Sequence, residues 1–264
     1  MSKIGLGIIT CNREDFYKQC YESIPLDAID KLVTVNDGKK LKGSYSDTKI
    51  ITHSTNKGVG ISKNDAMQYL LDEGCEHIFL IEDDIIIKDR DVFLKYIETG
   101  DISGLKHLMY GYHGPANKDQ FKNPISKLRV DYSKDCKVVF NTHCVGAFCY
   151  YHDSILRDVG LMDTAYTNAW EHVDHSYQIA KKRYIPAYWW WPDVANSYDY
   201  LDELACSEDN SAIRPRPDWQ TNIQTGAQHF INKHNYSPIN VPDTPEQEIV
   251  QRLKLIKQKN EQPV

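Results

Sequence analysis

Four consecutive apolar residues, Ile78 to Ile81, run directly into three acidic ones, Glu82, Asp83 and Asp84. A short, wholly apolar run of this kind predicts a strand buried on both faces, which calls for a parallel sheet covered by helices on each side. The preceding sequence repeats the pattern. Ile4 to Thr10, Leu32 to Asn36 and Lys49 to Thr52 are further short β-branched runs, separated by helix-like stretches near Asp15 to Ser23 and from about Ile61 to Glu73. Alternation of this sort predicts an α/β, Rossmann-like fold with a mostly parallel sheet flanked by helices.

Beyond the fourth strand the sequence predicts a helix over Asp91 to Glu98, a loop over residues 111 to 136, and a fifth extended segment from Val138 to Tyr151 broken at Gly146. Helices follow at Ser154 to Gly160 and Glu171 to Lys182, then an aromatic strand from Tyr188 to Trp191, read as core packing or as Trp faces for a ligand. Thr244 and Pro245 open a C-terminal helix running to about Lys259, with Ile249, Leu253 and Ile256 as its apolar positions. At 264 residues the chain suits one unit with a sizeable core.

No apolar run approaches the roughly 20 residues of a membrane span, and the N-terminus lacks a secretory pattern. The seven cysteines, Cys11, Cys20, Cys75, Cys136, Cys144, Cys149 and Cys206, show no paired zinc-type spacing, so reduced thiols and a cytoplasmic location are expected. A net charge of -6 gives no overall attraction to a phosphate backbone, although Lys39-Lys40 with Lys42 and Lys181-Lys182-Arg183 offer local basic faces.

Three constellations carry chemistry. Adjacent carboxylates at the end of a buried strand repel one another unless cations or hydrogen-bond donors compensate them, and a hard divalent ion, Mn²⁺ or Mg²⁺, is the natural compensator. In an open parallel sheet ligands bind beyond the carboxyl ends of the strands, where Glu82, Asp83 and Asp84 fall. The plain alternative is a solvated acidic turn. In Trp170-Glu171-His172-Val173-Asp174-His175, Glu171, Asp174 and His175 share a helical face and offer a general base, either Glu171 or Asp174, or else an acidic first turn favoured by the helix dipole. Third, Gly58-Val59-Gly60 leads into Lys63 and Asn64, a turn suited to a diphosphate or simply a tight connection.

Taken in order, Ile8-Ile9-Thr10-Cys11-Asn12-Arg13, Val35-Asn36-Asp37-Gly38, Asn56-Lys57-Gly58 with Asn64, Leu80 to Asp84, Val159 to Asp163 and Trp170 to Asp174 resemble the GT-A glycosyltransferases of family two, over residues 3 to 205. The resemblance implies a nucleotide-sugar donor, a UDP-sugar, and a hydroxyl acceptor, a glycan, joined by metal-assisted inverting displacement. It implies that Thr10, Asn12, Arg13 and Asp37 surround the nucleoside and that Gly58, Lys63 and Asn64 lie by the diphosphate. Asp84 would bind the metal, Asp83 completes the acidic DXD element, and Glu82 sits near the ribose or sugar or shares the metal. Glu171 is nominated as base, with Asp174 left open because His172 stands where the family has a second acid. The stretch Asn141 to Phe148, with His143 and Gly146, falls where related enzymes meet donor sugar and acceptor.

The expected organisation is a catalytic domain over 1–205, with nucleotide-sugar binding in about 1–100 and the acceptor side in about 101–205, and a C-terminal helical extension over 206–264 in the same unit. Other readings are a glycosyltransferase acting on modified bases of viral DNA, a nucleotidyltransferase, or a non-catalytic carbohydrate-binding relative. The nucleotidyltransferase reading requires a glycine-rich loop where Cys11-Asn12-Arg13 stands.

Overall fold

A computed structural model describes residues 2–204, 211 and 213–261. Strand β1 (Ile4–Thr10), helix α1 (Glu14–Glu22), β2 (Lys31–Asn36), β3 (Lys49–Thr52), α2 (Val59–Asp72), β4 (His77–Glu82) and the short β5 (Ile85–Ile87) form the first part. Helix α3 (Val92–Ser103), β6 (His107–Met109), β7 (Leu128–Asp131), β8 (Lys137–Asn141), β9 (Phe148–His152), α4 (Asp153–Val159) and α5 (Glu171–Lys181) follow. The chain continues through β10 (Trp191–Val194), the single turn α6 (Ser197–Tyr200), β11 (Leu201–Glu203), α7 (Trp219–His234) and α8 (Glu246–Glu261).

Six strands in the order β3-β2-β1-β4-β9-β6 form the main sheet, with β3, β2, β1 and β4 parallel and β9 antiparallel to both its neighbours. The apolar run of β4 therefore lies inside the sheet, as its composition requires. Strand β1 sits between β2 and β4, and its small residues let α2 lie against its backbone. A Cβ at Gly7 would come within 2.8 Å of Ala66 Cβ. Leu6, Ile8, Val33, Val35, Phe79 and Ile81 are fully buried, each such side chain worth about 1.5–3 kcal/mol relative to exposure.

The segment expected as one extended run from Val138 to Tyr151 is two strands in different sheets. β8 pairs antiparallel with β7 and β10 in a three-stranded sheet, while β9 joins the main one. Hydrophobic runs do not say which sheet they enter, and the chain turns through residues 142–147 between them. The expected loop over 111–136 contains β7, whose alternating half-buried and exposed residues (Leu128-Arg-Val-Asp131) mark an edge strand. The aromatic strand begins only at Trp191. Trp189 has φ 67° and cannot continue a strand, and the Trp189 and Trp190 indoles donate to Val241 O (2.6 Å) and Asp243 Oδ1 (2.7 Å). These tryptophans pack the C-terminal segment onto the body.

The expected boundary at residues 205 and 206, and Cys206 with it, lie outside the described residues; the six described cysteines are free thiols. No helix among the described residues is long and apolar enough to cross a membrane. The strongly polar α7 was not anticipated. The C-terminal helix α8 starts just after Pro245 and buries Ile249, Leu253 and Ile256, packing on α3. Leu255 on its outer side is 58% exposed. Replacing Ile249 with Ala should cost about 2–5 kcal/mol in urea unfolding, whereas Leu255→Ala should stay within about 0.5 kcal/mol.

Candidate active site

The carboxyl ends of β1, β2 and β4 open on a cleft lined by Thr10, Cys11, Arg13, Asp37, Glu82 and Asp83, with Asn56, Val59 and Ser62 from the α2 end. Asn168, Ile213 and Arg216 close its other side. Because β1 lies between β2 and β4, Asp37 and Glu82 stand on opposite flanks of it.

On the β4 flank the three acids are compensated separately. Asp83 is buried, accepts from Thr10 Oγ1 (2.7 Å) and pairs with the Arg13 guanidinium. Burial pushes its pKa up to about 7, against the opposing pull of Arg13. Asp84 takes Arg13 through Oδ2 at 3.2 Å, while its buried Oδ1 has no partner. His113, from the loop after β6, brings Nε2 to 4.0 Å from Asp84 Oδ2, and its Nδ1 lies 3.2 Å from Glu203 Oε2. The β5–β11 ladder sets Glu203 opposite Ile85, one residue past Asp84.

Glu82 faces a different cation. Lys63, 1% exposed, donates to Glu82 Oε1 (2.7 Å) and to Gly146 O (2.9 Å). Burial would lower the Lys63 pKa, but Glu82 and Glu171 outweigh it and hold it above its ordinary value. Lys63, expected beside a diphosphate, is thus an internal counter-ion behind the cleft wall, and Glu82, expected to share a metal, has its Oε1 committed to Lys63. Gly146 lets the chain before β9 pass close to α5, since a Cβ there would lie 2.8 Å from His172 Cγ.

On the β2 flank Asp37 is saturated by its own turn. It accepts from Lys57 N (2.7 Å), Gly58 N (2.8 Å) and Asn56 Nδ2 (2.9 Å), and meets His53 Nδ1 at 2.6 Å. Gly58 has φ 95°, and a Cβ on it would fall 2.1 Å from Thr167 O, so only glycine fits. Asn12, at φ 58°, accepts from Lys39 N (2.8 Å) and joins the loops after β1 and β2 outside the cleft lining. Asn64 is turned away, its amide making both bonds to the Met162 backbone (2.7 and 2.8 Å).

The helical face that groups Glu171, Asp174 and His175 does not deliver them to one place. All three are buried. Asp174 faces α7 and is fully occupied: His234 Nε2 at 2.6 Å and Tyr166 OH at 3.2 Å on Oδ1, Lys233 Nζ at 2.8 Å and Gln178 Nε2 at 3.2 Å on Oδ2. His175 meets Gly160 O at 2.9 Å. Glu171 packs against Gly60 and has Oε1 on His172 Nδ1 (2.8 Å), while Oε2 has no partner. Its pKa is lowered to about 2, because burial, which would raise it, is overcome by His172 and Lys63. Asp174 is therefore a fastening for α7, and Glu171 is the carboxylate left with an open oxygen. The preceding Trp170 adopts φ 72°, costly for a bulky residue, held by its indole donating to Ile223 O (3.1 Å) on α7.

No family model and no curated protein matches the sequence. Solved structures do. GalNAc-T7 with UDP, GalNAc and Mn²⁺ superposes with TM-score 0.59 at 9% identity, over 98% of this chain and 54% of that one. TarS of S. aureus gives 0.55 at 15%, over 96% and 42%. The chain has a GT-A fold. Glucosyl-3-phosphoglycerate synthase from Mycobacterium tuberculosis, in complex with Mn²⁺, UDP and glucosyl-3-phosphoglycerate, gives 0.52 at 12%, over 92% and 82%. The chain thus spans about half the length of the first two.

Sequence reasoning did not find Asn168, Ile213, Arg216, His113 or Glu203 in this region. His113 and Glu203 do fall in two stretches that the sequence marks without choosing a residue: Gly111 to Pro115, an acceptor loop or a plain turn, and Asp193 to Glu203, where a further metal or acceptor contact could arise. Two outcomes follow. Asp174→Asn should cost about 1.5–3 kcal/mol, since it removes the carboxylate that accepts from Lys233 and His234, and thermal unfolding would register it. For Glu171, a folded pKa below the unfolded value of about 4.3 means its stabilisation is present above that pH and lost as pH falls toward 2. Unfolding at pH 5 and pH 3 should therefore differ more for the wild type than for Glu171→Gln.

Proposed function

We propose that this chain transfers a sugar from a nucleoside-diphosphate donor, a UDP-sugar, to a hydroxyl group of a glycan acceptor by metal-assisted inverting displacement. One observation carries the reading. Among the described residues only two buried carboxylate oxygens lack a hydrogen-bond partner, Asp84 Oδ1 and Glu171 Oε2. An unpaired buried carboxylate oxygen is costly, so each calls for a partner from a ligand.

Asp84 calls for a cation. One carboxylate with an open oxygen and an imidazole close by is a fitting donor set for Mn²⁺ or Mg²⁺, which commonly take one or two protein ligands and fill the rest from substrate phosphates and water. Bound there, the ion would neutralise charge developing on the leaving diphosphate. The remaining roles belong to the chain itself. Thr10, Cys11 and Asn56 line the space for the nucleoside, with Asp37 shaping it through the turn it holds. Arg13 contributes a second positive charge beside the same phosphates. Glu171 Oε2 calls for a proton donor, which an acceptor hydroxyl supplies; the carboxylate takes that proton as the oxygen attacks the anomeric carbon. The low pKa of Glu171, favoured by the nearby Lys63 charge, keeps it ionised at neutral pH, and His172 keeps its other oxygen in place.

The UDP and Mn²⁺ of the GalNAc-T7 and glucosyl-3-phosphoglycerate synthase structures, together with the resemblance to family two, favour a UDP-sugar and Mn²⁺ here. Donor hydrolysis and transfer should require Mn²⁺ or Mg²⁺, stop in EDTA and be lost in Asp84→Asn while the melting temperature holds; full activity in EDTA would overturn the metal role. Glu171→Gln should lower turnover by roughly 10²–10⁴ with little change in donor affinity measured by calorimetry. Unchanged turnover would remove Glu171 as the base.

A further inference from the structure

The two flanks of the cleft differ in kind. The β4 side carries Glu82, Asp83 and Arg13, charged groups suited to phosphates and their cation. The β2 side carries Cys11, Asn56 and Val59, facing Ile213 and Arg216 from the segment before α7 and Asn168 from the loop before α5. That loop touches the same turn, since Thr167 O lies against Gly58. Apolar faces with side-chain amides and one guanidinium held flat by Asp218 suit a planar base.

What this end offers is donors. The Asp37 carboxylate, the obvious acceptor, is consumed by Asn56, Lys57, Gly58 and His53. Arg216 is fixed by two bonds to Asp218, from Nε (3.0 Å) and Nη2 (3.0 Å), and by one from Nη1 to Asn56 Oδ1 (2.8 Å). A guanidinium has about five N–H donors and no acceptor, so these three bonds leave N–H groups for a ligand. Asn168, 6% exposed, has a buried Nδ2 with no partner. Two independent side chains in the cleft wall thus hold unused donors.

We infer that Arg216 and Asn168 read the edge of the nucleobase and select a base with a carbonyl oxygen, O4 of uracil or O6 of guanine, at the position where cytosine and adenine carry an amino group. This rests on the nucleotide-sugar reading above. An amino group set against these donors leaves both sides unpaired, most costly at the buried Asn168, which is how sites built to hydrogen-bond one substrate reject its analogue. The bidentate grip of Asp218 holds the guanidinium plane, so Lys at position 216 would keep the charge without the fork.

Calorimetric titration of UDP, GDP, CDP and ADP, each with Mn²⁺, into the wild type, Arg216→Ala, Arg216→Lys and Asn168→Ala tests this. The wild type should favour UDP or GDP over CDP and ADP by on the order of tenfold to a hundredfold. Arg216→Ala and Arg216→Lys should flatten that preference, Asn168→Ala should reduce it, and melting temperatures should report intact folds. Equal weakening of all four nucleotides by Arg216→Ala would make Arg216 a general phosphate cation and overturn the inference. So would undiminished discrimination in the variants, or a wild type that favours CDP or ADP. Failure of every nucleotide to bind the wild type would instead overturn the nucleotide-sugar reading, and this inference with it.

Discussion

The buried ammonium of Lys63 is where the parts of this fold meet. It comes from α2, pairs with Glu82 at the end of β4, donates to the carbonyl of Gly146 ahead of β9, and supplies part of the field that keeps Glu171 of α5 ionised. A lysine this deep is tolerated only because its charge is met by carboxylates, and breaking such a pair on one side typically costs about 3–5 kcal/mol. The acids at the end of β4 thus divide into one neutralised from inside by Lys63, one paired with Arg13, and one, Asp84, left with an open oxygen. Of these three neighbouring carboxylates, only Asp84 keeps a buried oxygen without a hydrogen-bond partner.

That division explains which parts of the site can be read from sequence. Asp84 and Glu171 stand at features with a sequence signature, the end of an apolar strand and the first turn of a helix after a recognisable stretch. The roles of Lys63, Asn64 and Asp174 are not legible in this way. Each has a residue type suited to a ligand, and each is spent on a partner far along the chain: Gly146, Met162 and His234. Arg216 is the opposite case. It sits in a polar stretch without periodicity, and its place in the cleft comes from a contact with Asn56, 160 residues away.

The same distinction holds for the fold. β1, β2 and β4 follow from their own composition, because strands buried on both faces are largely apolar, while β3 is an exposed edge strand marked by its β-branched residues. The separation of β8 from β9, the edge strand β7 and the polar helix α7 depend on what packs against them. Helix α7 carries few apolar residues, but its His229, Lys233 and His234 all find acids on the body, Asp163 and Asp174. Its attachment is electrostatic as much as hydrophobic, a form of packing that period-based reading does not register.

The clasp between α7 and the start of α5 has a consequence for how the molecule comes into being. The strands that frame the cleft all lie before residue 83, whereas Asn168, Ile213 and Arg216, which close it, come much later in the chain. Trp170, and with it the backbone that aims Glu171, is fastened only when Ile223 and Gly226 arrive more than fifty residues later. The clasp thus makes the strained backbone of Trp170, and the direction in which Glu171 leaves the start of α5, conditional on a segment that is synthesised later.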